Sequence, residues 1–389
     1  MRKTLHYPYY SGDFLVDCRS LLTGQAPDTI NQEHKRASKS VTNPTTSNPV
    51  KPVTKTFDAN AKEEQLREES SSWDTSTPVD AEPGDIPVID LQEYFETGNR
   101  QALDRIAQEL RQACEQTGFL SIVGHGIPKS EIEAAFEQTQ LFHDSPLETK
   151  REILMDRPDW PVGGMGYLPL KNRKLPARDN GNVNEAFIVK IDDDLGMDSN
   201  QWPQAQHLPQ FRQIVEKYAL SMESLGKKML PVYAHALGMP EDFFDEAFVK
   251  PLYRLRMTHY PAVAIDTENR FGINPHVDTS FITILAQNQP GLVIFSERRK
   301  VWINAPMIPG AFIVNTGELL KQWTNDRFLS TRHFANNNDS SASRYSIPFF
   351  FNANPNYKMT CLPSCCSDEN PAKYPPISYA ESQGVVQGE

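Results

Sequence analysis

The sequence predicts a mixed α and β protein, in which a helical N-terminal part packs around a C-terminal β-core and a disordered segment leads the chain. Two patterns carry that expectation. Apolar residues recur at helical spacing through much of residues 83–245, and from 252 onward short β-branched and aromatic runs alternate with turn signals. A third observation sets the leading segment apart. Residues 37–56 contain three prolines and almost no large apolar residue, and residues 62–82 are charged and serine-rich, so residues 1–82 read as largely disordered.

Taken in order, "IPVIDL" at 86–91 reads as a short strand, followed by a helix with Leu103, Ile106, Leu110 and Ala113 on one face, ended by Gly118. "FLSIVGHGIP" is a strand and a turn. The next helix carries Ile132, Ala135, Phe136 and Phe142, and Ser145-Pro146-Leu147-Glu148 has the N-cap, Pro at N1 and Glu at N3 of another helix start. Residues 156–182, rich in Gly, Pro, Asn and Arg, read as a long loop. A long helix spans about 209–237, disturbed near Pro231 and stopped at Gly238. The runs "LYRLRMTHYPAV", "SFITILAQ", "GLVIF", "VWINAP", "AFIVNTG", "RFLSTRHFA" and "SRYSIPFFF" then make the β-core of residues 246–389, interrupted by one or two helical turns at "ELLKQWTN". Many short strands with frequent turns suggest a sandwich or barrel, the jelly roll among them.

Composition narrows the function. The 389 residues are 39% hydrophobic and 10% aromatic, enough for a core, and the net charge is −11. An acidic chain without a basic stripe argues against nucleic acid as a partner. No apolar run reaches membrane-spanning length, and "MRKTLHYPYYSGDFLVD" lacks the apolar core of a secretory signal. A transit peptide stays open, with acidic residues at 13, 17, 28 and 33 against it, and we expect a cytoplasmic monomer. The five cysteines are odd in number and scattered, which suits reduced thiols. Cys361, Cys365 and Cys366 read as a surface loop; as half of a zinc site they lack the other half.

The chemistry lies in the β-core. His276 and Asp278 stand two residues apart in "NPHVDTSFITIL", a spacing that puts both side chains on one face of a strand. His333 follows 55 residues later, and His259 is a poorer further candidate. Two histidines and a carboxylate on one side of a metal leave open positions, which suits non-haem Fe(II) and O2. Arg344 and Ser346 are again two residues apart. An inward arginine needs an anion, and a guanidinium grips a carboxylate through two parallel hydrogen bonds. The anion is an internal carboxylate or a ligand; a dicarboxylate cosubstrate chelating the metal would fit.

His276-Val-Asp278, "VNTGELLKQWTN", "STRHF" and Arg344-Tyr-Ser346, together with "IPVIDL…ACEQTGFLSIVGHGIP" and "LFHDSPLETK", resemble the 2-oxoglutarate- and Fe(II)-dependent dioxygenases, in the subgroup of isopenicillin N synthase and the plant flavonoid and hormone oxygenases. The resemblance covers about residues 85–380. It implies a double-stranded β-helix, His276, Asp278 and His333 as iron ligands, and Arg344 and Ser346 on the distal carboxylate of 2-oxoglutarate. It also implies a tyrosine near that cosubstrate, at Tyr260, with Arg256 and Thr258 at same-face spacing beside it. Two positions depart from the pattern: Phe334 replaces the usual Arg after the distal histidine, and "TGE" replaces the commoner Gly-Asp.

The activity implied is oxidation of an unactivated C–H bond of a small metabolite or natural-product intermediate, by hydroxylation, desaturation or cyclisation, with release of succinate and CO2. The subgroup draws substrate contacts from the N-terminal part, from the loop around "GGMGYLPLKNRK" and from the last core strands. That singles out Tyr167, Arg173, Phe187 and Phe350, and an inward Arg173 would suit a carboxylate-bearing substrate. Core packing competes as the reading of each. The nearest rival is a non-haem iron oxidase of the isopenicillin N synthase type, in which the Arg-x-Ser pair serves another carboxylate. A non-catalytic small-molecule binder and a zinc hydrolase are the further alternatives.

Overall fold

A computed structural model describes residues 77–155, 164–170, 182–191, 196–262, 271–336 and 342–382. Among these residues thirteen strands form two sheets. They are β1 (Val79–Asp80), β2 (Val88–Asp90), β3 (Phe119–Val123), β4 (Gly166–Leu168), β5 (Glu185–Ile191), β6 (Leu252–Tyr260), β7 (Phe271–His276), β8 (Ile282–Gln287), β9 (Leu292–Ser296), β10 (Val301–Asn304), β11 (Phe312–Thr316), β12 (His333–Asn336) and β13 (Arg344–Asn352). The smaller sheet has the order β1-β10-β9-β12-β7, and the larger β2-β3-β11-β8-β13-β6-β5-β4. β13 stands between β6 and β8, and its Pro348 lies opposite Leu285 of β8, while Ser346 and Phe349 hold the register with β6. Proline lacks the N–H that a ladder needs on both sides.

The helices are α1 (Gln92–Thr97), α2 (Arg100–Gln116), α3 (Lys129–Asp144), α4 (Leu147–Arg151), α5 (Phe211–Ala236), α6 (Glu318–Trp323) and α7 (Tyr379–Ser382). The face predicted for α2 is the buried one: Leu103, Ile106, Leu110 and Ala113 are all buried. α5 packs against α2 and α3 and reaches β13. At Gly226 a Cβ would come within 2.9 Å of the Phe351 ring, so glycine is what lets helix and sheet approach. Pro231 lies inside α5, which continues to Ala236. The largest apolar cluster joins these helices to the outer face of the larger sheet.

Several expectations change. Residues 1–76 of the segment read as disordered lie outside the described residues, and at its end Val79 and Asp80 pair in parallel with Ile303 and Asn304. The stretch read as a loop, 156–182, contains β4; its residues 156–163 and 171–181, Arg173 among them, lie outside the described residues. β5 had no strand prediction, and the larger sheet draws β2 to β5 from before residue 245. Ser145 does not cap α4: its Oγ donates to Leu141 O at 2.9 Å, at the end of α3. Asp278 lies beyond the end of β7, so strand alternation does not bring it to His276.

Candidate metal and carboxylate site

The two sheets face each other across a cavity. Ile273, His276, Leu292, His333 and Phe334 reach it from the smaller sheet, and Phe119, Tyr260, Thr283, Leu285, Asn315, Arg344, Ser346 and Phe350 from the larger. His276 ends β7 and His333 begins β12, and these residues are direct partners in the ladder. That pairing brings together side chains 57 positions apart, since 333 − 276 = 57. Their ring centroids are 4.3 Å apart.

Backbone carbonyls fix both tautomers. His276 Nδ1 donates to Asn274 O at 2.8 Å, and His333 Nδ1 donates to Thr331 O at 3.1 Å. A carbonyl only accepts, so in each neutral ring Nε2 is left as a bare lone pair. Both lone pairs face one oxygen: Asp278 Oδ1 lies 3.6 Å from His276 Nε2 and 3.7 Å from His333 Nε2. Burial and the neighbouring His276 push His333 down to about 4, so it stays neutral near pH 7. Burial alone would raise Asp278, but His333 and His276 when they carry a proton, together with the Asn315 amide, hold its carboxyl well below the usual range. With both rings neutral, three acceptors converge with no proton between them, which is the donor set a divalent cation requires.

Across the cavity Arg344 is 3% exposed. Its Nε donates to Gln289 O and its Nη2 to Gln287 Oε1, each at 3.2 Å, and its guanidinium carbon lies 4.5 Å from the centre of the Tyr260 ring. Nη1 is buried without a hydrogen-bond partner. A buried, unsatisfied charged donor is costly, and an anion would relieve it. Ser346 Oγ lies 3.4 Å from Tyr260 Oη, and both residues line the cavity with Arg344. The residues present therefore fit a cation at one end of the cavity and a carboxylate at the other.

Comparison with known proteins agrees with this geometry. Residues 86–205 match the family described as non-haem dioxygenase in morphine synthesis N-terminal, and residues 252–353 match the 2OG-Fe(II) oxygenase superfamily. The chain is 31% identical over 309 residues to the 2-oxoglutarate-Fe(II) type oxidoreductase hxnY of Emericella nidulans, covering 76% of this chain and 87% of that protein. The chain belongs to the 2OG-Fe(II) oxygenases. It is an oxidoreductase whose cofactors are Fe(II), 2-oxoglutarate and O2, and its N-terminal match is consistent with the isopenicillin N synthase-like subgroup. It is also 32% identical over 286 residues to azadirone synthase LFS of Melia azedarach, covering 68% of this chain and 83% of that protein. Among solved structures, a full-length Neurospora crassa protein in complex with alpha-KG and thymine shares the fold, with a TM-score of 0.68 at 24% identity, covering 78% of this chain and 98% of that one.

Within this oxygenase the expected site residues divide. Tyr260 and Phe350 line the cavity, as do the three metal-ligand candidates, Arg344 and Ser346. Thr258 and Arg256 lie further along β6. Thr258 is buried opposite Ser346, its hydroxyl without a partner, and Arg256 Nη2 donates to Asn184 Oδ1 at 2.6 Å. Neither is among the described residues that line the cavity. Tyr167 and Phe187 belong to the core instead. Tyr167 Oη donates to Glu185 Oε2 at 2.5 Å, and Phe187 packs among Phe142, Trp202 and Phe211. Phe334, where the family usually has Arg, packs edge-on against Phe271 and against Trp302. An arginine there would be driven into an aromatic cluster.

Two residues that reasoning from sequence passed over touch the site most closely. Thr283 Oγ1 donates to Asp278 Oδ2 at 2.7 Å, and Asn315 Nδ2 donates to the same oxygen at 2.8 Å. Their signal was available: Thr283 interrupts the apolar run "FITIL", and Asn315 follows the apolar residues of "FIVNT". His259, the poorer ligand candidate, joins a separate buried cluster with His143 and Glu185. Among the described residues, no helix is long and apolar enough to cross a membrane.

Proposed function

We propose that this oxygenase oxidises a C–H bond of a small natural-product intermediate or related metabolite at the cavity between the sheets. The observation that carries this reading is the pairing of two unsatisfied ends in one cavity. Two histidine lone pairs and a carboxylate oxygen converge on one side, and the unpartnered guanidinium nitrogen of Arg344 stands on the other. His276, Asp278 and His333 would hold Fe(II). Arg344 and Ser346, with Tyr260 beside them, would take the distal carboxylate of 2-oxoglutarate. We read the two facing sheets as the walls of a double-stranded β-helix and the protein as a monomer.

With the cofactors bound, Fe(II) would supply the chemistry in which O2 takes two electrons from 2-oxoglutarate, giving succinate and CO2, and two from the substrate C–H bond. The chain itself contributes position and exclusion. Arg344 fixes the cosubstrate by a charge-assisted contact, and the Tyr260 ring beneath the guanidinium restricts its swing. Phe119, Leu285, Leu292, Phe334 and Phe350 line the space with apolar surface, which keeps bulk water from the reacting groups. The name of azadirone synthase supports a natural product as the substrate class.

An anaerobic titration tests the site. Fe(II) followed by 2-oxoglutarate should give a visible charge-transfer band that needs both, and Arg344→Ala should remove it at the same ligand concentration. Succinate release with a turned-over substrate should follow. Iron binding without the band, and turnover without succinate, would transfer the assignment to the oxidase type.

A further inference from the structure

We propose that Thr283 and Asn315 are positioning residues that hold Asp278 as a one-oxygen ligand, so that its second oxygen cannot take up an open position on the metal. This rests on the metal reading of His276, Asp278 and His333. A carboxylate can bind a cation through one oxygen or both, and nothing in the aspartate itself selects between them. Here the two oxygens live in different surroundings. Oδ1 faces the two histidine Nε2 atoms and has no donor on it among the contacts described. Oδ2 accepts from Thr283 Oγ1 at 2.7 Å and from Asn315 Nδ2 at 2.8 Å. Swinging Oδ2 toward the metal would break two hydrogen bonds to an ionised group in a buried site, where such bonds are at their strongest.

The donors are themselves held. Ser280 Oγ lies 2.9 Å from Thr283 Oγ1. The Thr283 proton is committed to Asp278, so Ser280 is the donor in that pair and the hydroxyl directions are fixed in sequence. Asn315 stands in β11 directly opposite Thr283 in β8, so one rung of the ladder presents both donors to the same oxygen. A carboxylate only accepts, which also fixes the Asn315 amide with its NH2 toward Asp278. Ser280, Thr283 and Asn315 are each at most 4% exposed.

The backbone of the ligand loop is anchored separately. Glu318 N donates to Asp278 O at 2.8 Å, and Gly317 N donates to Phe281 O at 3.1 Å. A Cβ at Gly317 would collide with the Ser280 carbonyl oxygen, so only glycine admits this contact. Main chain and side chain are therefore restrained by different elements. Removing the side-chain donors should free the carboxylate without releasing the loop.

The test compares the wild type with Thr283→Val, which keeps the shape and loses the hydroxyl proton, with Asn315→Leu, with the double variant, and with Thr283→Ser, which keeps the donor. Three quantities are read: Fe(II) affinity by anaerobic calorimetry, binding of nitric oxide as an O2 surrogate to the Fe(II)–2-oxoglutarate complex, and thermal midpoint. The double variant should bind Fe(II) about 10- to 100-fold more weakly, the range seen when partners of metal ligands are removed. It should also bind nitric oxide more weakly, because the freed oxygen competes for the open position. Thr283→Ser should leave both near the wild type. A lowered thermal midpoint with unchanged Fe(II) and nitric oxide affinities would assign the pair a structural role only and overturn the inference. If Asp278→Ala binds Fe(II) as well as the wild type, the metal reading fails instead, and the two failures are told apart.

Discussion

Two clusters in this protein have nearly the same recipe. His276, Asp278 and His333 converge on one cavity, and His143, Glu185 and His259 converge in the packed interior, the ligand atoms of each set lying within 4.8 Å of one another. Both are largely buried, both place a carboxylate between two imidazoles, and their surroundings differ. In the second, Glu185 is already satisfied. Lys150 Nζ lies 3.1 Å from Oε2, Tyr167 Oη donates to the same oxygen, and His259 Nδ1 donates to Oε1 at 2.8 Å. His143 Nε2 donates to Met257 O at 3.0 Å, and its Nδ1 is left 3.6 Å from Oε1. Lys150 balances the Glu185 charge, so a divalent ion there would place two uncompensated charges in packed protein, at a prohibitive desolvation cost. In the first cluster no lysine or arginine among the described residues pairs with the carboxylate, and a cavity opens beside it. Residue type and spacing do not make a metal site; unbalanced charge and unfilled lone pairs beside open space do.

The largest effect expected of this contrast is on the first cluster. Asp278→Ala or His276→Ala should abolish Fe(II) retention and turnover together, read by metal analysis of the anaerobically loaded protein; a fully active variant would falsify the ligand assignment. The second cluster should answer in stability. Breaking a buried ion pair by removing one partner costs about 3–5 kcal/mol, so Lys150→Met should lose about that much in denaturant unfolding. Metal content should stay at one equivalent per chain. A second equivalent in the wild type that Glu185→Gln removes would erase the distinction between the clusters.

Next in size is the cosubstrate end. A hydrogen bond to a charged group contributes about 1.5–3 kcal/mol, so Arg344→Ala should weaken 2-oxoglutarate about 10- to 150-fold, while Fe(II) affinity barely moves. Equal loss of both affinities would show that Arg344 supports the fold instead of gripping a ligand. The smallest effect is on pH. Burial holds His143 below its ordinary 6.5. Burial pushes Glu185 upward, but its contacts with His143, His259 and Tyr167 outweigh that and hold it below its ordinary 4.5. In both cases the unfolded chain takes up protons that the folded chain refuses, so their stabilisation is present at neutral pH and lost as pH falls, first below 6.5 and then below 4.5. The thermal midpoint should drop across that range, and Glu185→Gln should shallow the drop at its acid end. A midpoint flat from about pH 7 to about pH 4 would mean the cluster titrates as it does in the unfolded chain.

Much of this was legible in one dimension. The α2 face, the long α5 helix, most core strands, and the pairs His276/Asp278 and Arg344/Ser346 all follow from local spacing, because helix and strand periodicity convert separations of two, three or four residues into shared faces. Even there the reason could mislead: His276 and Asp278 do meet, but through a turn after β7 and not by strand alternation. β4 and β5 escaped notice because they sit at the edge side of the sheet, and β5 joins it through a strand far along the chain, Glu185 opposite His259. Tyr167 and Phe187, substrate candidates by position, are buried in the core, Tyr167 bonded to Glu185 and Phe187 packed among Phe142, Trp202 and Phe211.

Residue order alone set which chemistries were available: a supply of imidazole, carboxylate and guanidinium at strand spacing, on a chain whose family marks run from about residue 85 onward. It took the folded neighbourhood to bring His276 and His333 to one oxygen of Asp278, and to place Thr283 and Asn315 on the other. The physical reason is that charge balance and desolvation depend on everything within a few ångströms, and those neighbours are brought together by ladder register between strands that lie tens of residues apart.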